Sequence, residues 1–167
     1  QNCTLLWCEA TQQAAIFDPG GDLDRIEAAL AEVGATPAKI ALTHGHIDHA
    51  GGAQELKERL EAKTGTTIPI EGPHIADKFL LDSLATTGPR YGLFDARPCT
   101  PDRWLNEGET FTIGNVSFDL YHCPGHSPGS IVFVHKTARI ALVGDVLFAG
   151  SIGRTDLPGG NHADLIN

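Results

Sequence analysis

The chain has 167 residues, 41% of them hydrophobic, which is the size and composition of one domain with a closed core. Twelve Lys and Arg against 21 Asp and Glu leave a net charge of −9, and no basic cluster is available to track a phosphate backbone, which argues against nucleic acid as a partner. No apolar run is long enough to cross a bilayer and no basic amphipathic segment suits a membrane surface, so a soluble protein with no membrane partner is expected.

Taken in chain order, the apolar run Leu5-Leu6-Trp7 directly after Gln1-Asn2-Cys3 reads as a strand already under way, so the natural protein is expected to extend upstream. Ala14 to Phe17 is a second apolar run, closed by "DPGG". From Asp22 to Val33 the apolar positions Leu23, Ile26, Ala29, Leu30 and Val33 recur at helical spacing, with Asp22 as the expected N-cap and Gly34 as the stop. "KIALTH" reads as a buried strand, and Ala50 to Lys63 as a helix whose apolar face carries Ala53, Leu56 and Leu60. Gly88 to Pro101, with three prolines, is expected to be a long surface loop. Thr110 to Ile113 and Val116 to Tyr121 flank Gly114-Asn115, a hairpin signal, and Ile131 to His135 with Arg139 to Val143 form another pair. Ala163 to Asn167 looks like a helical turn cut short. The mixture of βα units and hairpins predicts an α/β fold with helices packed outside two sheets. The four cysteines, Cys3, Cys8, Cys99 and Cys123, lack Cys-x-x-Cys spacing, and free thiols in a reducing, cytoplasmic compartment are expected.

The chemistry concentrates in "THGHIDH", residues 43 to 49. His44 and His46 are two apart and project together from extended chain, while Asp48 and His49 lie where the backbone turns toward the following helix. Two pairs can thus face one point from different directions. Imidazole and carboxylate suit zinc, iron or manganese, and two adjacent pairs suggest two ions. A histidine-rich surface loop is the plain alternative, but two distant features weaken it. In "HCPGHSPGS", His126 sits between two proline-containing turns after a strand, and in "ALVGDVLF", Asp145 follows a run too apolar to leave a carboxylate unpaired cheaply.

"THGHIDH", "PGHSPG" and "GDVLF" in this order resemble the metallo-β-lactamase superfamily, whose fold is an αββα sandwich with a metal cluster at the sheet edges. The fuller string, from "QNC" through "DPGG" to "GRTDLPGG", is similar to the small bacterial type II glyoxalases, the hydroxyacylglutathione hydrolases. The resemblance implies that His44, His46 and His126 hold a first zinc ion, that Asp48 and His49 serve a second, and that Asp145 bridges both. Asp18 would support a ligand histidine from behind, where composition alone suggests an ordinary turn aspartate. The implied activity is hydrolysis of a small-molecule thioester such as S-lactoylglutathione, by a water activated between the two metals and oriented by Asp48. A thioester suits this chemistry because its thiolate leaves without strong acid assistance.

The resemblance also places Arg154 against a glutathione carboxylate, although an ordinary surface arginine paired with Asp156 fits equally well. Where the larger type II glyoxalases have a tyrosine, this chain has Asp156. A further family histidine in a Gly-His-Gly context has no counterpart in the 167 residues, so the second ion is expected to be one ligand short. Two other outcomes are open: a mono-iron persulfide dioxygenase of the same fold using His44, His126 and Asp145, and a metal-binding module without activity. His122 is expected to pack or to support a ligand, His74, His135 and His162 to lie on the surface or in loops, and Cys123 to be a small buried hydrophobe.

Overall fold

A computed structural model describes residues 2–167. Strand β1 (Thr4–Trp7) turns back into β2 (Gln13–Phe17), helix α1 (Leu23–Val33) carries the chain to β3 (Thr36–Ala41), and α2 (Ile47–Ala50) and α3 (Ala53–Thr64) lead to the short β4 (Ile70–Glu71). Two brief helices, α4 (Lys78–Asp82) and α5 (Leu84–Thr87), precede a second run of strands: β5 (Thr110–Ile113), β6 (Val116–His122), β7 (Ile131–His135) and β8 (Ile140–Leu142). The pair β9 (Leu147–Phe148) and β10 (Ser151–Ile152) and helix α6 (His162–Ile166) follow. The first sheet is ordered β1-β2-β3-β4, and the second β5-β6-β7-β8, all antiparallel.

Two apolar layers hold these pieces together. One lies between the first sheet and its helices, where Leu23, Ile26 and Leu30 of α1 and Leu56 and Leu60 of α3 pack on Ile16, Ile40 and Ile70. The other lies between the sheets and is built on aromatics. Phe17, Phe111 and Phe133 meet edge-to-face with centroids 5.1 to 5.5 Å apart, a geometry that adds about 0.5–1.5 kcal/mol per pair beyond area burial. The far face of the second sheet carries exposed Thr112, Ser117 and Tyr121, in keeping with the period-2 alternation of β5 and β6.

Several local expectations change. The helix predicted from Ala50 begins at Ile47 and is interrupted at Gly51-Gly52, where the Gly52 amide donates to Pro19 O at 2.9 Å and a side chain would collide with that same turn. Asp48 and His49 are therefore helical. Asp22 occupies the N-cap position of α1, but its φ of 53° turns the carboxylate away, so it makes no capping bond and lies 3.7 Å from Arg25. Gly34 ends α1 in the left-handed conformation, as the sequence predicts. "KIALTH" is strand only as far as Ala41, and that strand starts earlier, at Thr36. The Gly88–Pro101 segment is not purely surface: a 3₁₀ turn spans Gly88–Tyr91, and Ala96 and Cys99 are buried in the helical layer.

The topology creates the site. β2 and β3 are parallel and register Phe17 with Ala41, so Asp18 and Thr43 emerge side by side beyond the carboxyl ends of their strands, where open α/β sheets place ligands. The second sheet is tied to the same edge by Ile131 N donating to Thr43 O at 2.8 Å.

Candidate metal centre

Four loops converge at this edge. The turn after β2 supplies Asp18, the segment after β3 supplies His44, His46, Asp48 and His49, the β6–β7 loop supplies His126, and the turn after β8 supplies Asp145. Two sets of ligand atoms come within 4.8 Å of one another: His44, His46 and His126, and His44, His49 and Asp145. His44 thus lies in both. Asp145 sits between them, one oxygen 3.2 Å from His49 Nε2 and the other 3.6 Å from His126 Nε2. Asp48 is 3.5 Å from His49 Nε2, with its side chain 57% exposed at the mouth.

The hydrogen bonds orient three of the rings. Asp18 accepts from Thr43 N at 2.8 Å and from the Thr43 hydroxyl at 2.7 Å. Having given its proton to a carboxylate, that hydroxyl is left as acceptor for His44 Nδ1–H, 3.0 Å away. His49 Nδ1 donates to Asp18 Oδ2 at 3.0 Å, and His126 Nδ1 donates to Arg154 O at 2.8 Å. Each of the three consequently turns Nε2 into the cluster, the arrangement by which backing acceptors fix metal-ligating imidazoles. Backbone closeness is needed as well: a side chain on Gly144, which has φ +50°, would overlap the Thr43 hydroxyl, and one on Gly20 would collide with Asp48 O.

The donor set fits a cation. His44 Nε2 and His46 Nε2 are buried without a hydrogen-bond partner, and such groups ordinarily find one. Burial, helped by the neighbouring imidazoles, pushes His44 well below its usual range and His46 to about 4, so both present neutral rings. Burial also opposes a charge on His49, but its bonds to Asp145 and Asp18 outweigh this and raise it to about 9, and His49 in turn holds Asp145 below the usual carboxylate range. The neutral rings of His44 and His46 and the ionised carboxylate of Asp145 are in the forms that divalent transition metals take as ligands, and a cation bound at His49 Nε2 would displace its proton.

Among the other residues singled out in the sequence, Arg154 is exposed and its guanidinium is held by both oxygens of Asp156 at 2.7 Å, so its carbonyl, rather than its charge, touches the site. His122 Nε2 lies 2.8 Å from Pro128 O, and its ring stacks at 4.1 Å on His74, which lies in a loop as expected and is half-buried. His135 Nδ1 binds Ser117 O, and His162 is exposed. Cys123 is half-buried rather than buried, and that burial raises its thiol. All four cysteines are free, and among the described residues no helix is long and apolar enough to cross a membrane.

Asp77 escaped the sequence reading. It is fully buried, and its carboxylate binds Gly45 N, the Ser127 hydroxyl and Gly129 N. Burial raises its pKa against the opposing pull of those three bonds. In "HIADKFLLD" it looks like any acidic residue at a helix start; only the glycines in both ligand loops hint that something must approach their amides closely.

The whole chain, residues 1–167, matches the family model of the metallo-beta-lactamase superfamily. It is 41% identical to hydroxyacylglutathione hydrolase GloC of Haemophilus influenzae over 168 residues, covering all of this chain and 76% of that protein. Among solved structures, it superposes on TTHA1623 in a di-iron-bound form with a TM-score of 0.84 at 33% identity, covering 99% of this chain and 77% of that one. On the BLEG-1 B3 metallo-beta-lactamase the TM-score is 0.81 at 35% identity, with coverage of 99% and 76%. Two stacked sheets with a histidine and aspartate cluster at their shared edge agree with these matches, and the chain belongs to the metallo-β-lactamase superfamily.

Proposed function

We propose that the protein is a metal-dependent thioester hydrolase acting on hydroxyacylglutathione-type substrates. The observation that carries this reading is the pair of ligand sets sharing His44, with Asp145 between them. The likeness to GloC supports the substrate class. In this reading His44, His46 and His126 hold one ion, His49 and Asp48 serve the other, and Asp145 lies between; zinc is the proposed metal, and iron or manganese suits the same donors. When bound, the metal supplies Lewis-acid polarisation of the thioester carbonyl and lowers the pKa of the attacking water.

The chain's own residues do the rest. Thr43, Asp18 and Arg154 O hold Nδ1 of His44, His49 and His126, so that each ring presents Nε2 to the cluster. Asp48, at the mouth, orients the water and accepts its proton on a carboxylate oxygen. The leaving thiol, with a pKa near ~8.5, departs as thiolate with no buried acid required. Arg154 exchanges Asp156 for a substrate carboxylate at the rim. Cys123, its thiol raised by burial, stays out of the chemistry. A cytoplasmic location accords with four unpaired cysteines.

The test is direct. Protein loaded with zinc, iron or manganese is assayed on S-lactoylglutathione by thiol release, with a β-lactam and glutathione persulfide as competing substrates and metal content measured in parallel. Thiol release well above both alternatives is expected. Oxygen uptake on the persulfide with one iron per chain, or β-lactam cleavage as the dominant activity, would sink the proposal.

A further inference from the structure

Asp77 is unusual among the acidic residues of this chain in being completely buried while its hydrogen-bond partners are amides and a hydroxyl instead of a cation. Taking a carboxylate out of water costs several kcal/mol, and three donated hydrogen bonds are what make such a position tolerable. Those donors are not scattered. Gly45 N, bound to Oδ2 at 2.8 Å, is the amide between His44 and His46. The Ser127 hydroxyl, also on Oδ2 at 2.8 Å, follows His126 directly, and Gly129 N binds Oδ1 at 2.5 Å. A single carboxylate therefore joins the loop that carries two of the histidines to the loop that carries the third.

The approach is as close as backbone allows. A side chain at Gly129 would strike the Asp77 carboxyl, and one at Gly45 would press on Leu80 and on Asp77 O. Ser130 lies 2.8 Å from the Ser127 hydroxyl and completes the bridge. The other ligand set shares His44, whose ring is backed by Thr43, and otherwise hangs from different supports, since His49 is backed by Asp18 and Asp145 sits in the turn after β8.

We infer that Asp77 is a positioning residue for the His44, His46 and His126 set: by clamping Gly45 to the Ser127–Gly129 turn it fixes the spacing of those three rings and so the affinity and geometry of the ion they hold, with little effect on the ion held by His49 and Asp145. This rests on reading the cluster as a metal centre, but not on the identity of the substrate.

The experiment uses the full chain, titrated with zinc against a chromophoric chelator and with cobalt(II) followed by visible absorption. Asp77→Asn presents an amide N–H to one of the clamp's donors and should weaken the ion lost in His46→Ala by about 10- to 100-fold and change the cobalt spectrum. Ser127→Ala removes one of the three bonds and should shift both readouts the same way by less, which keeps the test open should Asp77→Asn fold poorly. Leu81→Ala, in the same segment but outside the clamp, should lower the Tm without altering affinity or spectrum. In the His46→Ala background, Asp77→Asn should leave the remaining ion unchanged. Unaltered affinity and spectrum in folded Asp77→Asn, or an equal change in Leu81→Ala, would overturn the inference, as would a wild-type chain that takes up neither metal. Metal uptake with the expected clamp behaviour but no thioester hydrolysis would defeat the proposed substrate and leave Asp77's role standing.

Discussion

Phe17 and Asp18 are neighbours in the chain and belong to opposite regimes. Phe17 closes the aromatic layer between the sheets, where its environment is apolar and non-directional. Asp18 opens the polar rim, where its two oxygens receive donors from Thr43 and His49 within 3.0 Å. The core can exchange one apolar shape for another at modest cost. The rim cannot, because every polar group there has a specific partner and an orphaned one costs its full desolvation. One residue step along β2 thus separates what holds the fold from what holds the site.

Substitutions on either side test that division. The largest effect is expected from His126→Ala, which should cut thioester hydrolysis by more than about a thousandfold, since several kcal/mol of transition-state stabilisation depend on the metal, while the circular dichroism spectrum stays native. Phe133→Ala should do the reverse: a loss of about 3–5 kcal/mol in denaturant unfolding, with metal stoichiometry kept in whatever fraction remains folded. A Phe133→Ala chain that unfolds normally but has lost its metal would break the separation of core from rim. Asp18→Asn leaves the volume intact and should weaken metal binding by about 10- to 100-fold, read by chelator competition. Arg154→Ala should raise KM by a few-fold at most and leave kcat alone, because the His126 partner is its carbonyl and survives the change; a large fall in kcat would place its side chain in the chemistry.

The smallest expected effect is a control that belongs to neither the aromatic layer nor the rim. Partial burial opposes ionisation of Asp102, but hydrogen bonds from Lys57 at 2.7 Å and from Ile70 N at 2.8 Å outweigh it and hold the carboxyl below its usual range. A carboxylate with a depressed folded pKa adds stability above its unfolded pKa and loses it as the pH falls through the folded value. With 43% of the side chain exposed, solvent screening limits this to less than about 1 kcal/mol. Asp102→Asn should therefore lower the Tm slightly at neutral pH and match the wild type once the pH drops below the carboxylate range.

Much of this was legible in the sequence, for reasons that differ from residue to residue. The Gly114-Asn115 hairpin and the Gly34 stop follow from local backbone chemistry and stand as read. The crowded "THGHIDH" announced itself because so many ligand-type side chains in seven residues have few other uses. What was not legible depends on distant chain. Asp22 looks like a cap, yet its left-handed backbone turns the side chain outward. The break at Gly51-Gly52, which splits the helix expected from Ala50, goes with the Pro19 turn receiving the Gly52 amide. That His44 belongs to both ligand sets, pairing with His49 as well as His46, emerges only when His126 and Asp145 arrive from the second sheet. Asp77 is the clearest case, since its partners lie 32 to 52 residues away and nothing adjacent to it signals burial.

The converging residues run from Asp18 to Asp145, across both sheets. No short fragment carries the constellation, and an unfolded chain offers only scattered imidazoles. Ion affinity is then a gauge of the whole fold: any ligand that binds the native state alone stabilises it by mass action, about 2.7 kcal/mol at a free concentration a hundred times Kd. The cation this edge accommodates would act as a keystone joining the two halves of the chain, and its supply would help set how much folded protein persists.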